Sequence, residues 1–203
     1  MSEQQKKQEK NTFGIKPKFP VEVPMTEQRL KLSIALKQFI LSDKPDKLDN
    51  FQPVLDESGV SIVQGEQYEP SDLRWCLRTA FENDLDTYRA ISHDKLIAQN
   101  IKITLEYFNA YHYKEVAKPQ PGDIVVYYQK GFHPFKLGIK ESPNHSVNDE
   151  VMHYARVLEN GKYISTWGRY GLTYEHPPDM VPKNYGDARI FLRDFLPSPN
   201  NSK

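Results

Sequence analysis

Lys118-Pro119-Gln120-Pro121-Gly122, followed at once by Asp123-Ile124-Val125-Val126-Tyr127-Tyr128, is the stretch on which the fold turns. A proline-broken segment gives way to a β-branched and aromatic run that Gly131 closes, which is the composition of a strand. Downstream the pattern stays strand-like. Met152–Leu158 predicts a second strand, and Asn160-Gly161 predicts a hairpin into Lys162–Thr166. A two-residue turn would set Glu159 opposite Lys162 and Arg156 opposite Ser165. Leu172–Glu175 reads as extended, and Ala188–Arg193 reads as the closing strand.

Upstream the apolar residues recur with helical spacing. Thr26 opens a helix whose expected apolar face is Leu30, Ile34, Ile40 and Leu41, with Leu36 beside it. Ser42–Gly65 holds Pro45, Asn50, Pro53 and Gly59 and reads as loop, with a short strand at Val60–Val63. Glu69-Pro70-Ser71-Asp72 supplies capping residues ahead of Leu73, Cys76, Leu77, Ala80 and Phe81, a full core-facing stripe. A further helix is expected from about Asp94 to Tyr111. Helices first and antiparallel strands second predict an α+β fold. The expected organisation is a flexible polar and proline-rich arm over 1–25, a helix-and-loop extension over 26–66, an α+β domain over 67–196 and a tail over 197–203.

Composition narrows the function classes. The 203 residues carry 27 Lys+Arg against 27 Asp+Glu, so the basic footprint of a nucleic-acid binder is absent. No apolar run nears the ~20 residues of a membrane span, and the first eleven residues hold no apolar signal core. The expected setting is therefore cytoplasmic, or export by a dedicated secretion system. A single Cys allows no intrachain disulfide, and no two His share a helix face at ligand spacing, so neither metal nor cofactor is expected.

That one thiol, Cys76, lies near a helix opening, where partial positive charge and free N–H groups favour a thiolate. A lone buried Cys is most often a small hydrophobe. Against this, His153 stands within a predicted strand, and Ser165 stands twelve positions later on the next one. Cysteine on a helix, histidine on a strand and a polar group on the following strand is the order of a nucleophile, its base and an orienting group.

These residues resemble the papain-like cysteine peptidase superfamily, which includes bacterial cell-wall endopeptidases and amidases and small bacterial papain-like domains. The resemblance rests on Arg74-Trp75-Cys76-Leu77, on Pro121–Val125, on His153-Tyr154-Ala155 and on Tyr163-Ile164-Ser165-Thr166-Trp167-Gly168. Tyr185-Gly186 ahead of Ile190–Arg193 adds to it, and it covers about Gln67 to Arg193. It implies a papain-like fold with N-terminal helices on an antiparallel sheet, and a Cys76–His153–Ser165 site cleaving an amide bond in a peptide or protein. Gln67 and Tyr68 would stand near the oxyanion, with Trp167 and His176 lining the cleft. Ser165 occupies the place of the family's orienting amide, and no Gln closely precedes Cys76. Those departures favour a second reading, a catalytically inactive papain-like module acting as a protein-binding, inhibitor or immunity protein. A deamidase or transglutaminase-type toxin is the third. No membrane partner is expected under any of them.

Overall fold

The computed structural model describes residues 16–41, 48–63, 75–82, 84–92, 101–132, 148–167 and 172–195. Gln67, Tyr68, Leu73, Arg74, Gly168 and the tail lie outside the described residues. Among the described residues the helices are α1 (Glu27–Leu41), α2 (Leu48–Glu57), α3 (Trp75–Ala80), α4 (Leu85–Ser92) and α5 (Ile101–Ala110). The strands are β1 (Val21–Glu22), β2 (Ser61–Ile62), β3 (Tyr113–Val116), β4 (Ile124–Phe132), β5 (Asn148–Val157), β6 (Tyr163–Trp167), β7 (Leu172–His176) and β8 (Ala188–Asp194). None of these helices is long and apolar enough to cross a membrane.

All pairings are antiparallel, in the order β1-β8-β4-β5-β6-β7-β2, with β3 also on β8. β4 lies well inside because it is apolar on both faces, and Ile124 to Tyr128 are all buried. On one face Ile124, Val126, Tyr128 and Tyr154 pack against Leu77 and Ala80 of α3, Phe81 just after it, and Ile101, Leu105 and Phe108 of α5. On the other, Val125, Tyr127, Ala155, Val157 and Tyr163 form a second core. Trp167 and Tyr174 extend that face beneath Leu32, Leu36 and Phe39 of α1 and Phe51 and Leu55 of α2. The α+β class holds, with helices on both faces of the sheet.

Four expectations are corrected. The 1–25 arm is not free over its described part: β1 pairs with β8, Val23 is buried, and Glu115 accepts the N–H groups of Lys18 and Phe19. The Ser42–Gly65 loop contains α2, with Pro53 inside it. α1 opens at Thr26, whose Oγ1 accepts the Arg29 N–H at 3.1 Å, but it buries Arg29, Leu32, Leu36 and Phe39. Leu30 and Ile34, expected in the core, are 43% and 52% exposed. Finally, the β5–β6 hairpin is offset by one residue, with Arg156 opposite Ile164 and Val157 opposite Tyr163. Its loop has three residues, Glu159-Asn160-Gly161. Gly161 takes φ 77°, and the Leu158 N–H reaches the Lys162 carbonyl at 2.8 Å.

Candidate functional site

Each predicted site residue has its face set by strand alternation. His153 and Tyr154 point to opposite sides of β5. Tyr154 faces α3 and α5, while His153 lies 6.0 Å from the Tyr127 ring and stacks at 4.1 Å on Tyr185. A bulge contributes, since Tyr127 faces His153 but Tyr128 faces Val151.

Cys76 packs with the α3 cluster, on Tyr154's side. The residue is partly buried, and burial pushes the thiol up to about 11. The backbone N–H groups of Tyr154, Leu77 and Cys76 itself oppose that rise without overcoming it. The thiol is therefore neutral at physiological pH. His153 is also neutral. Burial, with His176 adding to it, pulls its imidazole down to about 3. The structure does not bring Cys76 and His153 together, because they stand on opposite faces of β5. The expectation that α3 would cover the His153 face fails because the large apolar partner for α3 and α5 is Tyr154. The Tyr154 ring meets Phe108 edge-on at 6.3 Å.

Ser165 does share a face with His153, as Tyr163 shares one with Val157. It serves another histidine, however. Trp167 Nε1 can only donate, and it donates to Ser165 Oγ at 2.7 Å. The Ser165 hydroxyl then points its proton at His176 Nε2, 3.0 Å away, and His176 Nδ1–H donates to the Pro177 carbonyl at 2.9 Å. This chain selects one neutral tautomer of His176. Burial pulls that ring down to about 4, the Pro177 carbonyl opposing. Trp167 and His176 are both buried, and Trp167 stacks on Tyr174 at 4.4 Å, so they are core residues of this face and do not line an open cleft. Thr166 points the other way, with its Oγ1 at 2.6 Å from Thr79 of α3.

Two features escaped the sequence reading. His153 Nε2 is buried without a hydrogen-bond partner among the described residues. Arg29 is wholly buried, and its guanidinium donates to the carbonyls of Val23 at 2.9 Å, Val181 at 2.7 Å and Gly186. An arginine within an apolar helix stripe would be the one signal of such a clamp. Comparison with family models, curated proteins and solved structures finds no match.

Proposed function

We propose that this chain is a catalytically silent α+β module that works by binding a protein partner. One observation carries the reading: β5 separates Cys76, on α3 at one face of the sheet, from His153 at the other, both uncharged, so neither can activate the other. A nucleophilic thiol needs a base within hydrogen-bond reach or a depressed pKa, and among the described residues no imidazole stands beside Cys76, whose thiol is raised and not lowered. Ser165 has no imidazole to orient for catalysis, because its hydroxyl is engaged with Trp167 and His176.

Iodoacetamide labelling of Cys76 tests this. The rate should climb about tenfold per pH unit between about pH 6 and pH 8, as for an unactivated thiol, and His153→Ala should leave it unchanged. A fast, pH-independent rate that falls in His153→Ala would overturn the reading.

The thiol hydrolase, including its deamidase and transglutaminase variants, is the second reading. It draws on the three backbone N–H groups around the Cys76 sulfur, an environment suited to an anion. It requires an imidazole on the Tyr154 side of β5, where this chain places Thr79 and Thr166.

A further inference from the structure

The outer stripe of α1 and the cavity beside it carry an inference that rests on the binding-module reading. α1 is apolar on two sides. Leu32, Leu36 and Phe39 face the core, while Leu30 and Ile34, one turn apart, face outward. Ile34 forms one wall of a cavity of about 560 Å³, with Ser33, Leu36 and Lys37 of α1, Gln129 of β4 and Lys183 completing most of it. That size falls among pockets that enclose a ligand or an anchoring side chain.

The walls are tied together before any partner arrives. Ser33 Oγ accepts the Lys183 N–H at 2.6 Å and donates to the Arg29 carbonyl at 2.7 Å. Arg29 in turn grips Val181 and Gly186, on either side of the short 3₁₀ turn Lys183–Tyr185. Gly186 fixes that turn against β4: at φ 124° a Cβ there would lie 2.7 Å from the Tyr128 carbonyl oxygen. A preformed pocket loses little on binding to ordering its own walls.

Charge then selects the occupant. Both charged side chains of the lining are lysines. Among the described residues neither Lys37 nor Lys183 has a carboxylate within ion-pair distance. The nearby Asp187 carboxylate is occupied by Gln129 Nε2 at 2.9 Å and the Lys130 N–H at 3.0 Å. We propose that this surface docks an acidic segment of a partner protein, which seats an apolar side chain against Ile34 and sets carboxylates against Lys37 and Lys183. Leu30, outside the cavity on the same stripe, asks for an occupant that continues along the helix, as a polypeptide does and a small amphiphile does not. A basic segment would bring like charge to two lysines that have no counter-ion among the described residues.

Selection from a random peptide library of about twelve residues, on the full chain, tests the proposal. The enriched sequences should place an apolar residue between Asp or Glu residues. Their affinity should fall at least about tenfold in Ile34→Asp and in Lys37→Glu/Lys183→Glu, and stay within about threefold in Lys37→Arg/Lys183→Arg. Thermal melts of each variant confirm folding, since Ile34 and Lys37 are exposed. No enrichment, a basic or charge-indifferent consensus, or unchanged binding to folded Ile34→Asp would overturn it. Cys76 labelling on the same preparation separates the two ideas. Rapid labelling strikes the silent-module reading alone, and failed peptide binding with slow labelling strikes the docking site alone.

Discussion

His153 and His176 are where single residues make this fold sensitive to its surroundings. Both are buried, with imidazoles held down to about 3 and about 4 by that burial. An unfolded histidine titrates near 6.5, so below that pH the unfolded chain binds more protons than the folded one, and stability falls as pH drops from about 6.5 toward 4. Each ring accounts for roughly 2 kcal/mol between pH 7 and pH 5. His153→Leu removes a ring nitrogen that has no hydrogen-bond partner among the described residues, so urea unfolding of this variant should show about half the wild-type loss over that interval. An unchanged pH slope would mean that His153 is charged or exposed in the folded chain. Arg29 is the contrasting case, a buried cation held by backbone carbonyls and needed by the turn above it.

At the scale of elements, α1 is the clearest test of which face the core selects. Leu36 is buried between α2 and the Trp167–Tyr174 stack, whereas Ile34 is half exposed. Leu36→Ala should cost about 2–5 kcal/mol in denaturant unfolding, and Ile34→Ala no more than about 0.5. The reverse order would place the expected Leu30–Ile34 stripe in the core after all. That stripe misled because α1 is apolar on both sides, and periodicity alone cannot say which side is covered. The strands were more legible. Ile124–Tyr128 is so rich in β-branched and aromatic residues that no other element fits, and Asn160-Gly161 located the hairpin. Its register escaped by one residue because Asn-Gly serves two-residue and three-residue loops alike. α2 was hidden by Asn50, Pro53 and Gly59, which signal loops, although tertiary burial of Phe51 and Leu55 holds the helix. β1 and β3, two and four residues long, exist only through pairing with the distant β8, and a short window of sequence carries no trace of that.

For the whole molecule, the decisive matter is how the two layers of helices divide the chemistry. α3 and α5 enclose Cys76 with Tyr154 on one side of the sheet, and α1 and α2 cover the other side, which holds His153, Ser165, Trp167 and His176. The order Cys76, His153, Ser165 was legible in sequence. Their failure to meet was not, because it depends on which face of β5 receives α3. The layering leaves Leu30 and Ile34 exposed on the outer side of α1, beside the lysine-rimmed cavity. The direct test of this division is NMR titration of the His153 ring in wild type and in Cys76→Ala. The ring should stay neutral from about pH 5.5 to about pH 8.5 and show the same profile in both proteins. A midpoint between about pH 6 and pH 9 that moves when the thiol is removed would mean that the two side chains share a proton, and would contradict the account.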